Sequence, residues 1–224
     1  MIQHVAFIMD GNRRWARAHK VPLVVGHTKG YQMIEPLIAY AHKKNISHLT
    51  FWAFSTENWN RDKKEVEILL QIFRRLFQSQ IVKRLHKKGV KINVLGDIDA
   101  FPKDIAERVR KIIDDTKNNT AITVNIGLNY GGRAEILQAV NRLLQDKKET
   151  VNEEEFALYL YTKNMPDPEL IIRTSGEERL SGFLPWQSAY SELYFSKVYW
   201  PDFNEKEFEK ALDEFEKRKR RFGQ

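Results

Sequence analysis

His4-Val5-Ala6-Phe7-Ile8-Met9-Asp10-Gly11-Asn12-Arg13-Arg14-Trp15 is the stretch whose reading decides the fold. The apolar run from Val5 to Met9 does not alternate, as expected of a strand buried on both faces in a parallel sheet. It stops at a carboxylate, and Gly11-Asn12 then supplies residues that tolerate positive φ. Two arginines follow within a helical turn. Ligands of open α/β sheets sit outside the carboxyl ends of the strands. An acid at the strand tip with a basic cluster behind it therefore suits a metal-assisted anion site. Asp10 acting only as a helix cap explains this stretch equally well.

Working outward, the same grammar repeats. Gly26-His27-Thr28-Lys29-Gly30 reads as a loop entering a helix marked by Tyr31, Ile34, Leu37, Ile38 and Ala41, with a kink at Pro36. His48 to Phe54 is a second strand, ending at the polar loop Ser55-Thr56-Glu57-Asn58-Trp59-Asn60-Arg61. Val66, Leu69, Leu70, Phe73, Leu76 and Phe77 predict one long amphipathic helix over 63–88, closed by Gly89. Strands are expected at 90–95, 122–126, 170–173 and 193–199, with helices at 102–118, after Arg133 on Ile136, Leu137, Val140, Leu143 and Leu144, at 153–163 and at 205–221. Strand and helix alternate without a repeat or linker. The expectation is one α/β domain spanning 1–224, a central, mostly parallel six-stranded sheet flanked by helices.

Composition excludes several classes. No cysteine is present, which removes disulfides, thiolate catalysis and thiolate-bound zinc, and fits a reducing compartment. Met1 directly before the first strand leaves no room for a signal peptide, and no apolar run reaches the ~20 residues of a membrane span. The net charge of +7 favours anionic partners. There is no Walker-type phosphate loop, no Gly-x-Gly-x-x-Gly, no nucleophile elbow and no His-Glu-x-x-His helix. Asp10, Ser55, Asn129 and Arg173 fall at or just past predicted strand ends, where Arg14, Arg61, Arg173 and Arg179 can converge. Arginine forks suit a diphosphate, and a carboxylate among them suits Mg²⁺, which binds through one or two carboxylates plus substrate phosphates. Any one of these arginines is explained as well by a surface ion pair; the set at strand ends is not. Trp15, Trp52, Trp59 and Phe54 are either plain core or the lining of an apolar cleft. The basic run Lys217 to Arg221 reads as a solvated helix end, or as a contact for phosphate or an anionic membrane.

HVAFIMDGNRRWA, GHTKG, FSTENWNR, NIGLNYGGR, LIIRTSGEERLSGFLPWQSAYSELYF and WPDF, in that order over nearly the whole chain, resemble the cis-prenyltransferases of the bacterial undecaprenyl diphosphate synthase branch. The resemblance implies a cytoplasmic, homodimeric, Mg²⁺-dependent enzyme with an apolar tunnel. Such enzymes extend farnesyl diphosphate with isopentenyl diphosphate units in cis and touch the inner face of the membrane peripherally to release product; nucleic acid is not a partner. It gives Asp10 the metal and the departure of the allylic diphosphate, with Glu192 as a second metal carboxylate. Gly11, Asn12, Arg13, Arg14 and Trp15, aided by His27, would hold that diphosphate. Arg173, Arg179, Leu180 and Ser181 would bind isopentenyl diphosphate. Ser55, Thr56, Glu57, Asn58, Trp59 and Arg61 would cover the reacting carbons, with Asn58 participating in proton removal. A neutral amide is a poor base, so positioning, or relay to released diphosphate, suits Asn58 better. Arg221-Phe222-Gly223 matches the family's tail, which reaches the partner subunit's site. Three positions depart from the pattern: Leu23 stands where relatives carry arginine, Ser175 where they carry glycine, and Glu178 where they carry histidine.

Overall fold

The computed structural model describes residues 2–218, so the tail Arg221-Phe222-Gly223 and most of the terminal basic run lie outside the described residues. β1 (His4–Ile8) is followed by α1 (Asn12–Ala18), α2 (Leu23–Gln32), α3 (Ile34–Lys43) and β2 (His48–Ser55). A 3₁₀ turn at Thr56–Asn60 leads to α4 (Lys63–Gln78), α5 (Gln80–Lys87), β3 (Val90–Leu95), α6 (Lys103–Thr116) and β4 (Ile122–Tyr130). Then come α7 (Gly132–Gln145), α8 (Glu153–Ala157), β5 (Leu170–Arg173), β6 (Glu192–Phe195) and α9 (Glu205–Lys217).

The six strands form one sheet in the order β3-β4-β2-β1-β5-β6, and every neighbouring pair is parallel. β1 is buried at all five positions, as its unbroken apolar run predicts. Val5 and Phe7 face one layer, where α3, α4, α6 and α9 bring Leu37, Phe73, Ile105 and Phe208. Ala6 and Ile8 face the other, closed by Phe183 and Leu184, with α7 and α8 packing Ala139 and Phe156 beyond them. Each fully buried aromatic here is worth roughly 2–3 kcal/mol of transfer free energy. From β1 the chain winds toward β2 on one side, and from β5 toward β6 on the other. The order therefore reverses between β1 and β5, which opens a crevice at their carboxyl ends.

Several elements differ from the sequence reading. The expected 63–88 helix breaks at Ser79, whose backbone is extended and whose hydroxyl and N–H both donate to the Leu76 carbonyl. Gly26 to Gly30 is not a loop but the middle of α2. A Cβ at Gly26 would stand 2.4 Å from the Asn12 carbonyl, and one at Gly30 2.2 Å from Asn12 Oδ1, so these glycines let α2 press against α1. The helical run expected to kink at Pro36 does break ahead of it: α2 and α3 meet at Met33, and Pro36, in the first turn of α3, has no N–H to donate to the Gln32 carbonyl. β4 continues to Tyr130, β6 ends at Phe195, and α8 stops at Ala157. No helix among the described residues is long and apolar enough to cross a membrane.

Candidate active site

The crevice at the switch point is a cleft of about 680 Å³. Asp10, Gly11, Asn12, Arg13, Arg14, His27, Ser55, Glu57, Asn58, Arg61, Arg173, Arg179 and Ser181 all line it. Gly11 makes the turn from β1 into α1 at φ 107°, a conformation in which a Cβ would also strike Ser175 and Tyr199.

Asp10 lies at the centre. Its Oδ2 accepts from Arg173 Nη2 at 2.9 Å and pairs with Arg14 Nη2 at 3.2 Å. The Arg173 side chain is only 7% exposed; its Nη1 donates to Ser181 Oγ at 2.9 Å and to the Arg179 carbonyl. Two further carboxylates hold the remaining cations. Glu65 pairs with Arg61 at 2.8 Å and Arg13 at 3.4 Å. Glu177 pairs with Arg14 at 2.8 Å and with Arg179, and these arginines hold its carboxyl below the usual range, Arg179 most strongly. The guanidinium groups are thus held in place by shared carboxylates before any ligand arrives.

Unpartnered polar atoms point to what is absent. Among the described residues, Asn12 Oδ1, His27 Nε2 and Arg173 Nε are buried without a hydrogen bond. Burial, reinforced by Arg61 and Arg13, lowers the His27 pKa to about 4, so its ring is neutral near pH 7. Asn58 is oriented by its own loop. Its Oδ1 accepts the Ser55 N–H at 3.1 Å, which leaves the amide nitrogen as the group it has to offer.

Other expected site residues stand apart from the cleft lining. Trp15 is buried, donating to Asp202 Oδ2 at 2.8 Å. Trp59 donates to Asn129 Oδ1 and packs on Phe54 and Phe101. Thr56 lies against Gly131, and Leu180 packs into the cluster around Phe183. Leu23 begins α2 outside the lining. The structure does not bring Glu192 to Asp10 within one chain. Glu192 opens β6 opposite Leu170, three residues before the level of Arg173, about 10 Å away along the strand. Its carboxylate accepts from Arg218 at 2.9 Å. Among the described residues no group of three or more His, Asp or Glu side chains gathers as a metal site. Sequence reasoning passed over Glu65 and Glu177. Glu65 follows Arg61 by four residues on a helix-forming stretch, a spacing that announces the pair. Glu177 carried no such signal.

Below Tyr31 and Ala53, which belong to both spaces, lies an apolar cavity of about 70 Å³ walled by α3, α4, α5, α6 and β4. This cavity is not the apolar tunnel that the resemblance implies.

A family model described as "Putative undecaprenyl diphosphate synthase" matches residues 8–223. The ditrans,polycis-undecaprenyl-diphosphate synthase ((2E,6E)-farnesyl-diphosphate specific) of Pasteurella multocida is 47% identical, over 99% of this chain and 94% of its own. A crystal structure of a probable undecaprenyl diphosphate synthase from Campylobacter jejuni superposes with a TM-score of 0.85 at 32% identity, covering 100% of this chain and 99% of that one. Lavandulyl diphosphate synthase from Lavandula x intermedia, solved with dimethylallyl diphosphate, reaches 0.95 at 31% identity, over 100% and 98%. The chain belongs to the undecaprenyl diphosphate synthase family of prenyltransferases.

Proposed function

We propose that the chain condenses isopentenyl diphosphate onto farnesyl diphosphate in successive cis additions, giving undecaprenyl diphosphate, the lipid carrier of cell-wall synthesis. The observation that carries this reading is the Asp10–Arg173 pair at the switch point, in a cationic cleft that continues into an apolar cavity. In each addition the allylic carbon–oxygen bond breaks, the isopentenyl double bond attacks that carbon, and a proton leaves.

Two anion sites flank Asp10. Asn12, Arg13 and Arg14 on α1, with His27 from α2, suit the allylic diphosphate; Arg173, Arg179 and Ser181 suit the isopentenyl one. Fixed cations stabilise most where negative charge gathers on the leaving diphosphate. Asp10 directs both its arginine contacts to Oδ2, so Oδ1 remains for a cation, and a single carboxylate plus substrate phosphates is a usual Mg²⁺ arrangement. Bound Mg²⁺ would neutralise charge on the departing diphosphate. Asn58 orients substrate through its amide N–H and leaves proton removal to another acceptor, released diphosphate being the one at hand.

Leu137 and Leu144 on α7 are 64% and 67% exposed and share a face with Val140, a stripe that supports a homodimer through α7. Glu192, distant from Asp10 within one chain, would reach a metal only from the partner's side of such a dimer. A second reading, a shorter-chain synthase, is favoured by the small apolar cavity. Radiolabelled isopentenyl diphosphate with farnesyl diphosphate, followed by chromatography of the dephosphorylated product, tests both. A long polyprenol supports the first reading, a short one the second, and no incorporation overturns both.

A further inference from the structure

Positive charge is distributed unevenly. From Ile68 to Gly96 the chain carries seven lysines and arginines and no aspartate or glutamate, as much net charge as the whole chain's +7. Carboxylates from neighbouring elements answer part of it. Arg74 pairs with Asp104 and Glu67, while Arg84 and Lys88 share Glu35 of α3. Arg75, Lys83 and Lys87 are exposed, and no described carboxylate lies within 4.0 Å of them. Lys83 and Lys87 are four apart, on one face of α5.

The opposite face of α5 is apolar. Ile81, Val82 and Leu85 wall the 70 Å³ cavity, and of these only Leu85 is fully covered. α5 passes through Gly89 directly into Val90, the first residue of β3. It therefore sits at the amino-terminal edge of the sheet, opposite Asp10. Along one axis the molecule presents an anion-binding cleft, then an apolar cavity, then a thin apolar wall with cations outside it.

We propose that the outer face of α5 docks on an anionic phospholipid bilayer. The cations match the headgroups, and the apolar cavity lies directly behind them, toward the acyl chains. A chain growing from the cleft in the sense proposed above points at this face. The same cations would attract nucleic acid, yet no Phe, Tyr or Trp occurs from Gln78 to Asp97, and His86 is the one ring there on which a base could stack.

The test is flotation of the full chain with vesicles of phosphatidylcholine alone, or of phosphatidylcholine mixed with phosphatidylglycerol, at low and high salt. Circular dichroism verifies that each variant is folded. The expected result is salt-sensitive binding to the mixed vesicles alone. Lys83→Gln/Lys87→Gln weakens it about 30-fold, from about fivefold per cation near an anionic surface. Lys147→Gln/Lys148→Gln, removing two exposed lysines after α7, leaves it unchanged. Equal binding to both vesicles, equal weakening by both variants, or no weakening by the α5 variant overturns the proposal. So does tighter binding of a mixed-sequence RNA than of mixed vesicles. The readout uses no turnover, so a negative synthase assay and a negative flotation result are separate findings.

Discussion

Two histidines make opposite use of burial. His4 is 1% exposed at the start of β1, His27 lines the cleft, and burial lowers the pKa of each to about 4. Both ring nitrogens of His4 are engaged, Nδ1 with the Pro166 carbonyl and Nε2 with Thr50 Oγ1, each at 2.7 Å. From Thr50 the bonds continue across the sheet. Asn125 on β4 donates to Thr50, and Asn93 on β3 donates to Asn125. With Nδ1 protonated, every bond in this row points the same way, and the row ties four strands together. His27 has no such closure: its Nε2 is orphaned, and the largest charges near it are Arg61, Glu65 and Arg13. A lowered pKa therefore marks no site by itself. The unmatched nitrogen inside a cationic cleft does.

If that contrast is right, the largest effect belongs to the cleft. Asp10→Asn keeps the shape and an acceptor for Arg173 but removes the charge. Turnover is expected to fall on the order of 10²–10³-fold or more, as when one group acting on a developing anion is lost, with the melting temperature shifted by only a few degrees. Turnover near the parent rate would place the metal elsewhere.

His4→Ala should do the reverse. It strands Thr50 and the Pro166 carbonyl, a cost of about 2–3 kcal/mol, read as a drop of roughly 5–10 °C in melting temperature for a chain this size. Turnover measured well below the transition stays within twofold. A large loss of turnover with unchanged stability would erase the distinction between the two histidines.

The third prediction concerns titration. Because both folded-state pKa values lie below the ordinary 6.5, the unfolded chain takes up protons first as the medium acidifies. The contribution of these two rings is complete above pH 6.5 and is lost between 6.5 and about 4, on the order of 3 kcal/mol for each. Inorganic pyrophosphate should raise the His27 pKa by at least one pH unit and leave His4 unmoved, as followed by NMR of the imidazole protons. Parallel movement of both would mean a global change, not occupancy of the cleft.

How much of this was readable beforehand follows from the range over which each signal acts. β1 was legible because five consecutive apolar residues have no other comfortable place than between two layers. Asp10, Arg14, Arg61 and Arg173 were legible as a set because parallel strands put all their carboxyl ends on one edge. Ser79 was not, since nothing in Gln78-Ser79-Gln80 breaks a helix locally. Gly26 and Gly30 misled because glycine serves loops and close approaches alike, and only the position of Asn12 tells which. Glu192 is a different case: its metal role came from the family resemblance alone, and within one chain it opens β6 at the edge of the sheet away from Asp10.

Ser175 gives the smallest and most diagnostic contrast with the His4 row. It takes φ 83°, where an L side chain costs about 1–2 kcal/mol, and its buried hydroxyl has no partner among the described residues. Its Cβ lies 2.9 Å from where a Cβ on Gly11 would stand, so it packs directly against the turn that carries Asp10 into α1. Replacing it with glycine relieves the backbone and removes the stranded hydroxyl, while the freer unfolded chain takes back about 0.5–1 kcal/mol. The net expectation for Ser175→Gly is stabilisation of about 1 kcal/mol, seen as a higher urea midpoint at unchanged slope. Turnover changes by less than twofold, because the Gly11 turn is also held by the Trp200 N–H bond to the Asp10 carbonyl and by Thr174. A lower midpoint would mean that the hydroxyl is satisfied in solution, and that this part of the cleft resembles the His4 row after all.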